Sequence, residues 1–293
     1  MVGGPTASGK TSLAIELARY FDTEIVSADS RQFYKELTIG TAKPSPQELA
    51  QAKHHFINSH SVTEEFNASD YGVRATQTIN SLFEKKQVVV MVGGSGLFID
   101  AVIKGFDELP AAIPEIRSRL HAIMDQSGLE ELQAMLLQKD PVSHGRIDIK
   151  NPRRVIRALE VTMATGKPYS EQIHKTDSLK NDWNIIPIGI LHEREALYSR
   201  IDLRTKWMVE NGLVEESKSV IGFRNHNALK TVGYREMFMH LDGEITLKET
   251  EALIAQHTRN YAKRQMTWFK RYDDLIWFSP EDWMDQIKTL PIN

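Results

Sequence analysis

The chain has 293 residues, of which 41% are hydrophobic and 26% charged, with a formal net charge of −3. That length gives room for about two domains, and the composition is that of an ordinary globular protein. The absence of cysteine excludes disulfides, thiolate metal sites and cysteine nucleophiles, and it fits a reducing compartment such as the cytoplasm. The mildly acidic balance excludes a general attraction to polyanions, so contacts with nucleic acid must come from local basic patches.

The first predicted element is a glycine-rich loop followed by a helix. The run GPTASGKTS, residues 4–12, fits the phosphate-loop pattern G-x-x-x-x-G-K-[ST], and the apolar residues behind it share one helix face. Such a loop normally follows a strand, yet only Met1, Val2 and Gly3 precede it. We therefore expect a first strand that is either very short or, as we prefer, truncated at its start.

Two more strands are predicted in the first third of the chain. EIVSAD, residues 24–29, ends in a carboxylate, and QVVVMV, residues 87–92, indicates a buried strand followed by two glycines. We find no signal peptide and no apolar run near the ~18 residues that a membrane span needs. Alternating strands and helices predict an α/β fold. We expect a P-loop-type parallel sheet flanked by helices, with ligands at the carboxyl ends of the strands.

A helical insertion interrupts this pattern. Between 107 and 183 the strand signal disappears, and apolar residues recur at helical spacing. These positions are Ile116, Leu120, Ile123, Leu129, Leu132 and Leu136. NIIPIGIL, residues 184–191, then restores the strand pattern. We predict that 1–106 and 184–293 form the P-loop α/β core and that 107–183 is an inserted all-helical domain.

The C-terminal part is predicted to contain one long helix, a strand and a short helix. Thr246 and Glu249 form a capping-box pattern, so the long helix should start there and run to about 272. LIWF, residues 275–278, indicates a strand. Ser279-Pro280 is predicted to cap a final short helix, because proline suits the first helical position.

The glycine loop predicts a phosphate site. Gly4 and Gly9 let the backbone curl so that N–H groups point at phosphate oxygens, and the following helix adds its positive end. Lys10 supplies a positive charge, and the Thr11 hydroxyl can bind Mg²⁺, the expected cofactor. The alternative is a glycine-containing turn that matches the pattern by chance and binds no phosphate. The candidate diphosphate-binding residues of the loop are Gly4, Pro5, Thr6, Ala7, Ser8, Gly9, Lys10 and Thr11.

The loop does not identify its ligand, and on its own it favours ATP. A nucleotide hydrolase usually has an Asp at the end of a second strand to hold Mg²⁺, but the strand 87–92 is followed by Gly93-Gly94-Ser95-Gly96. No N-K-x-D pattern that reads guanine is present. The strand-terminal acid near the loop is Asp29, which is expected at the same edge of the sheet; the alternative for it is a solvated turn residue.

Six motifs occur in one order along the chain. They are GPTASGKT, DSRQFYKELTIGTAKP, HHF, GGSGLF, NPRRVIRALEV and YAKRQMTWFK. Together they resemble the tRNA dimethylallyltransferases, also called tRNA isopentenyltransferases, over nearly the whole chain. The resemblance implies transfer of a dimethylallyl group from dimethylallyl diphosphate to N6 of the adenosine just 3′ of the anticodon. The loop would then hold the diphosphate of the donor instead of ATP.

The resemblance also implies roles for single residues. Asp29 matches the general base that removes a proton from the adenine amine. Ser95 stands where the family usually has Thr and Phe98 where it usually has Tyr, and Ser95 keeps a hydroxyl able to contact the leaving group or the target nucleotide. Arg204, in RIDLR, matches an arginine that reaches the diphosphate, with a solvated helix charge as the alternative.

Two basic clusters are candidates for contact with tRNA. In residues 146–157, Arg153, Arg154 and Arg157 crowd the positive end of a helix, which indicates a bound anion such as tRNA phosphate. In residues 259–271 the basic charge falls late in a helix, where the dipole favours it, and the aromatic residues are expected in the core. For both clusters a solvated basic face is the alternative.

The target base must leave its stack to react, and the segment 29–32 would meet it. Gln32 is a candidate to read the adenine edge through its amide. Val155 and Ile156 belong to the implied tRNA-binding stretch but are expected to pack inward. The full set implied by the resemblance is Asp29, Ser30, Arg31, Gln32, Ser95, Arg117, Arg153, Arg154, Val155, Ile156 and Arg157.

Three functions stay open on the residues alone. The first is prenyl transfer to tRNA, with the anticodon stem-loop and dimethylallyl diphosphate as partners. The second is an ATP-dependent small-molecule phosphotransferase, with a prenyltransferase acting on free adenine nucleotides as a variant. The third is a non-catalytic RNA-binding module with a relic loop. We expect a monomer without a membrane partner, and a structural role for His54 and His55.

Overall fold

The computed structural model describes residues 1–107, 109–111, 113–173 and 182–290 and contains two compact units. The first unit comprises Met1–Ile103 and Asn181–Asn293, and the second comprises Lys104–Lys180. The sequence prediction put these boundaries at 107 and 183. Trp183 lies in the first unit, where its indole Nε1 donates to Asn80 Oδ1 at 3.1 Å.

The first unit is built on one six-stranded sheet in which the strands pair in parallel. In chain order the strands are β1 (Val2–Gly3), β2 (Ile25–Ser27), β3 (His54–His55), β4 (Val90–Val92), β5 (Ile188–Ile190) and β6 (Ile276–Phe278). Their order across the sheet is β3-β2-β4-β1-β5-β6. The chain therefore leaves β1, β2, β4 and β5 at a single edge, where parallel sheets bind ligands.

The predicted strands and the α/β fold class are confirmed. β2, β4, β5 and β6 lie within the predicted runs, and β1, with two residues, is very short. The sequence analysis did not identify β3, whose two histidines are half-buried at the sheet edge. His55 Nε2 lies 2.6 Å from Glu24 Oε2, and His54 Nδ1 lies 2.8 Å from Ala52 O. These contacts agree with the structural role predicted for both histidines.

Helices flank the sheet and make up the second unit. In chain order they are α1 (Lys10–Tyr20), α2 (Pro46–Leu49), α3 (Ala68–Phe83), α4 (Gly96–Ile103), α5 (Pro114–Lys139), α6 (Pro141–Arg146), α7 (Pro152–Thr165), α8 (Tyr169–Gln172), α9 (Arg194–Glu210), α10 (Leu213–Ser219), α11 (Tyr234–Leu241), α12 (Leu247–Phe269) and α13 (Trp283–Ile287). Across the part of the chain that the structure describes, none of the helices combines the length and the apolar character needed to cross a membrane.

Two predicted helix starts have opposite outcomes. The capping box of α12 is confirmed, because Thr246 Oγ1 accepts from Glu249 N and the Glu249 carboxylate accepts from Thr246 N. The predicted cap at Ser279-Pro280 is wrong, since α13 begins only at Trp283. Ser279 instead donates its hydroxyl to Glu281, and its N–H donates to the Gln286 amide oxygen at 3.1 Å. These bonds occupy Ser279 in the turn before α13.

Alternation along the strands divides the core of the first unit between the two sheet faces. Ile25 and Val90 belong to the apolar cluster that contains Leu13 of α1. Their neighbours Val26 and Met91 belong to the cluster on the other face, which α3 and α4 cover. Successive residues of a strand point to opposite faces, so an apolar run is what a sheet covered on both sides requires.

The second unit has a helical core of its own. Leu120, Leu132 and Leu136 of α5 pack with Val155 and Leu159 of α7 and are fully buried. The predicted helical periodicity of this segment is therefore confirmed at its central positions. α5 is interrupted at Gly128, whose φ of 81° and ψ of −178° are not helical. The break divides α5 into two helical segments joined by a kink.

Candidate active site

The loop between β1 and α1 has the curled shape that its glycines predict. Gly4 and Gly9 have φ angles of 139° and 94°, and Gly9 is the N-terminal cap of α1. Ala7 also has a positive φ, 63°, which costs a non-glycine residue about 1–2 kcal/mol. Lys10 Nζ donates to Pro5 O at 3.0 Å, so the ammonium group reaches back over the curl of the loop. Backbone strain of this kind is typical of functional sites.

Lys10 has an unusual electrostatic environment. Burial lowers the pKa of its ammonium group from 10.5 to about 8, against an opposing attraction from Asp29 and with a further lowering by Arg204. Asp29 follows β2 and Arg204 lies on α9, so three separate elements bring these charges together. A buried cation between a carboxylate and a guanidinium is suited to binding an anion with more than one negative charge.

Three side chains from the second half of the first unit hold the loop. Arg204 Nη2 donates to Thr6 Oγ1 at 2.6 Å, and Arg200 Nε donates to Ala7 O at 2.7 Å. His192 Nε2 lies 2.7 Å from Ser8 O. Burial lowers the pKa of Arg204 to about 10 while Asp29 opposes that shift, so the guanidinium stays charged. The structure thus places Arg204 at the loop.

Gln265 joins the loop to the neighbouring strand end. Its Oε1 accepts from Thr6 N at 2.8 Å, and its Nε2 donates to Gly94 O at 2.8 Å. The side chain is buried and comes from α12, 259 positions after Thr6. Arg200, His192 and Gln265 were missed by the sequence analysis. Gln265 belongs to the motif YAKRQMTWFK, but no role was predicted for it.

Close packing explains the glycines after β4. A Cβ on Gly93 would lie 2.1 Å from Ala28 O, and one on Gly94 would lie 2.3 Å from Gln265 Nε2. A Cβ on Gly96 would lie 2.2 Å from Trp268 Cδ1. Many nucleotide hydrolases have a metal-binding Asp at the end of this strand. Here the glycines after β4 instead allow β4, the turn after β2 and α12 to pack closely together.

We expect Gly93→Ala to destabilise the first unit by about 1–3 kcal/mol or more, because the backbone oxygen of Ala28 cannot move away without breaking the β2–β4 ladder. The free energy of unfolding in urea measures this. Gly222→Ala is the matched control, since a Cβ there meets nothing within 4 Å. Equal effects of the two substitutions would contradict the packing account.

Asp29 forms a tight turn at the end of β2. Its Oδ1 accepts from Arg31 N at 2.9 Å and from Gln32 N at 3.3 Å. These bonds fix the carboxyl group within its own turn through Oδ1. Ala28 N donates to Val92 O at 2.7 Å, which ties the turn to the end of β4.

Ser95 and Tyr261 complete the surroundings of Asp29. Ser95 Oγ accepts from Ser30 N at 2.9 Å and donates to Ser30 Oγ at 3.1 Å, and Ser95 is 8% exposed. Burial and the nearby negative charge of Asp29 raise the pKa of Tyr261 to about 12, against an opposing hydrogen bond with Ser95. Tyr261 therefore stays a neutral phenol beside the Asp29 carboxylate. This position was not predicted, because the aromatic residues of 259–271 were expected in the core. Phe269 is fully buried, as predicted.

The arginines of the second unit differ in their surroundings. Arg153 and Arg154 are exposed in the first turn of α7, where Asn151 Oδ1 caps the helix by accepting from Arg153 N at 3.1 Å. Arg117 and Arg157 instead flank the buried carboxylate of Glu160. Arg117 Nη2 donates to Glu160 Oε2 at 2.9 Å, and Arg157 Nη1 lies 3.6 Å from the same atom.

Val155 and Ile156 are buried in the core of the second unit, as the expectation of inward packing required. Their side chains are therefore no part of an exposed surface. Glu160, which the sequence analysis did not consider, supplies the counter-charge for two of the four arginines assigned to tRNA in this unit. Of this cluster, Arg153 and Arg154 therefore stay the candidates for a bound anion at the positive end of α7.

A parallel α/β sheet with a glycine loop and lysine after its central strand defines the P-loop class of proteins. Comparison with known sequences and structures narrows this class. The family model described as IPP transferase matches residues 32–272. The chain is 44% identical to tRNA dimethylallyltransferase 2 of Azobacteroides pseudotrichonymphae over 99% of this chain and 94% of that protein. It is 45% identical to tRNA dimethylallyltransferase of Christiangramia forsetii over 94% of this chain and 91% of that protein.

A solved structure gives the same result. The full-length tRNA isopentenylpyrophosphate transferase of Bacillus halodurans superimposes with a TM-score of 0.71 at 35% identity, covering 98% of this chain and 92% of that one. The chain belongs to the IPP transferase family. The resemblance drawn from the six motifs is thereby confirmed.

Proposed function

We propose that this protein transfers a dimethylallyl group from dimethylallyl diphosphate to N6 of the adenosine 3′-adjacent to the anticodon of a tRNA, releasing diphosphate. Family membership supports the reaction class. The observation that carries the assignment to residues is that Lys10, after β1, and Asp29, after β2, meet at one edge of the sheet, where the Asp29 carboxylate acts on the Lys10 ammonium group. A cation for the leaving group and a base for the acceptor amine are the two groups that this reaction needs.

For the donor to react, the site must stabilise the negative charge of the departing diphosphate. As the carbon–oxygen bond of the donor breaks, negative charge gathers on the diphosphate and the allyl carbon becomes cation-like. Lys10, Arg204 and the N–H groups of the loop would stabilise that charge. Ser8 Oγ is buried and lacks a hydrogen-bond partner within the described residues, which fits a place left for a ligand oxygen.

For the acceptor to react, a proton must be removed from the adenine amine. The lone pair of the adenine amine is delocalised into the ring, so the amine is a poor nucleophile until a proton leaves it. Asp29 would accept that proton as the new carbon–nitrogen bond forms, so that no charged amine intermediate accumulates. Ser95 holds the turn beside Asp29 through Ser30 and would keep the carboxyl group aimed at the target base.

Mg²⁺ is the cofactor that the loop pattern implies, and the residues fit it. The Thr11 hydroxyl in the first turn of α1 would supply one oxygen ligand, and Mg²⁺ usually keeps waters and takes its other ligands from phosphate oxygens. When bound, the ion would neutralise part of the charge on the departing diphosphate. Thr11 is partly exposed, so its hydroxyl is accessible to a hydrated ion.

We propose that the anticodon stem-loop of a cytoplasmic tRNA is the acceptor. Arg153 and Arg154 in the first turn of α7 supply exposed positive charge for its phosphates. The DSRQ segment, residues 29–32, would meet the extruded base, at a cost of a few kcal/mol for unstacking. Arg117 and Arg157 would contribute mainly to the shape of the second unit through Glu160.

The test is label transfer. The protein is incubated with Mg²⁺, labelled dimethylallyl diphosphate and unmodified tRNA, and the tRNA is digested to nucleosides. We expect label on a single adenosine per tRNA, and none when free adenosine monophosphate replaces tRNA. Lys10-dependent hydrolysis of ATP without label transfer would instead identify a phosphotransferase, and efficient labelling of the free nucleotide would identify an adenylate prenyltransferase.

The pH dependence of the reaction should report the charge of Lys10. Because its pKa in the free protein is about 8, Lys10 is protonated and binds diphosphate below that pH and becomes neutral above it. We expect kcat/KM to fall tenfold per pH unit above pH about 8, and kcat to fall at a higher pH because bound diphosphate stabilises the ammonium form. Initial rates across the alkaline range measure both.

The control is Lys10→Arg, whose guanidinium keeps its charge over the same range. Its profile should lose the alkaline fall of kcat/KM, whatever its absolute rate. Burial also lowers the pKa of Lys43 to about 8, and Lys43 is unchanged in this variant. An alkaline fall that persists in Lys10→Arg would assign the titration to another group.

A further inference from the structure

A carboxylate far from the reacting groups in sequence holds one segment of the site. Glu216 of α10 accepts from three successive backbone N–H groups, those of Thr38, Ile39 and Gly40, at 2.9, 2.8 and 2.9 Å. Its fourth partner is the hydroxyl of Tyr234, which donates to Glu216 Oε1 at 2.6 Å. A half-buried carboxylate with four donors is a strong, directional anchor.

The geometry around the anchor leaves little room for movement. Tyr234 is fully buried at the start of α11, and this burial, together with the negative charge of Glu216, raises the pKa of its hydroxyl, so the hydroxyl remains a donor. A Cβ on Gly40 would lie 2.6 Å from Tyr234 Cζ, so the segment 38–40 lies directly against the ring. Ile39 also packs against the apolar cluster formed by α9, α10, α11 and α12.

The anchored segment in turn holds Gln32. The Gln32 side-chain nitrogen donates to Thr41 O at 3.2 Å and to Ala42 O at 3.0 Å. Two carbonyl oxygens can face only the NH₂ group of the amide, so its orientation is determined and Oε1 remains as an acceptor. The Gln32 backbone N–H donates to Asp29 Oδ1, so the same residue contacts the turn that carries the proposed base.

A second hydrogen bond connects the segment 29–32 to the part of the first unit that contains α10 and α11. Arg31 Nη1 donates to Asn227 O at 3.0 Å, and Asn227 lies between α10 and α11. The segment 29–32 is therefore held on one side through the loop 38–42 and on the other through Arg31. Neither connection involves the glycine loop or Lys10.

We infer that Glu216 is a positioning residue for the target base: it fixes the loop 38–42, which fixes the amide of Gln32 toward the adenine edge. This inference rests on the proposed transfer to adenosine and adds a role for a residue outside all six motifs. Loss of the anchor should weaken use of the RNA acceptor and leave the diphosphate site intact, since none of the anchored groups belongs to that site.

The test is Glu216→Gln, which keeps the shape but presents an NH₂ group to donors on one side. We expect KM for an anticodon stem-loop RNA to rise at least tenfold and the Kd for dimethylallyl diphosphate to stay within twofold. Tyr234→Phe removes one of the four bonds and leaves the three backbone donors, so it should raise KM by a smaller factor than Glu216→Gln does. Glu215→Gln changes an exposed neighbour that pairs with Lys218; it is the matched control and should change neither constant.

A second readout does not require catalysis. A stem-loop with 2-aminopurine at the target position gains fluorescence when the base leaves its stack, and we expect Glu216→Gln to reduce that gain at saturating protein. Unchanged KM and unchanged fluorescence would overturn the inference, as would a lower melting temperature with both unchanged. If wild-type protein bound the RNA and gave the fluorescence gain without transferring the label, the proposed function would fail, whereas a Glu216→Gln variant that behaves as wild type in both readouts would overturn this inference alone.

Discussion

Asp29→Asn should lower the rate of dimethylallyl transfer by about 10²–10⁴-fold, because the amide cannot accept the proton that must leave N6 of adenine. The substitution is close to isosteric. Its Oδ1 can still accept from Arg31 N and Gln32 N, so the turn at the end of β2 should persist. The rate is measured in a single turnover with donor and tRNA both saturating, so that binding defects do not contribute.

The matched control for this variant is Asp22→Asn. Asp22 is an exposed aspartate paired with Lys86 and lies away from the site, so its substitution should leave the rate unchanged. A rate for Asp29→Asn within a few-fold of wild type would remove Asp29 from the chemistry. The proton would then have to leave to water or to another group.

Lys10→Met should lower kcat/KM by about 10²–10³-fold, the usual effect of removing one group that stabilises developing negative charge. Methionine fills a similar volume, so the curl of the loop should be retained apart from the lost bond to Pro5 O. Arg204 would remain and would support weak residual binding of the donor.

Lys206→Met provides the control for Lys10→Met. Lys206 is exposed on α9 and pairs weakly with Glu210 at 3.8 Å, so its loss should have no effect on transfer. If Lys10→Met kept near wild-type kcat/KM while Arg204→Met lost it, the arginine and not the lysine would be the main contact of the leaving group.

Local patterns were sufficient to predict most elements of the sheet and to place Lys10 and Asp29 at one edge of it. Lys10 begins α1 after the loop that follows β1, and Asp29 follows β2, so the parallel sheet brings both residues to the same edge. The helix α12 was predictable from its capping box, since that signal involves only Thr246 and Glu249. β3 was not predicted, because two polar histidines give no apolar alternation.

The remaining contacts of the site could not be predicted because they join distant segments. Gln265 meets Thr6 across 259 positions, and Arg200 meets Ala7 across 193. Glu216 meets Thr38 across 178 positions. Which residue of a helix reaches a given loop depends on the packing of the whole unit, and the helical pattern of α9 or α12 identifies only a face. The pairing of Arg117 with Glu160 was missed for the same reason.

The measurement that tests the central claim most directly is the Kd of labelled dimethylallyl diphosphate for Asp29→Asn and Lys10→Met, determined side by side with wild type. It should be made well below pH 8, so that Lys10 remains charged in Asp29→Asn, where the carboxylate no longer raises the pKa of Lys10. The account predicts near wild-type affinity for Asp29→Asn and a large loss for Lys10→Met. Equal losses in the two variants, or none in Lys10→Met, would contradict a division of labour between a leaving-group site and a base.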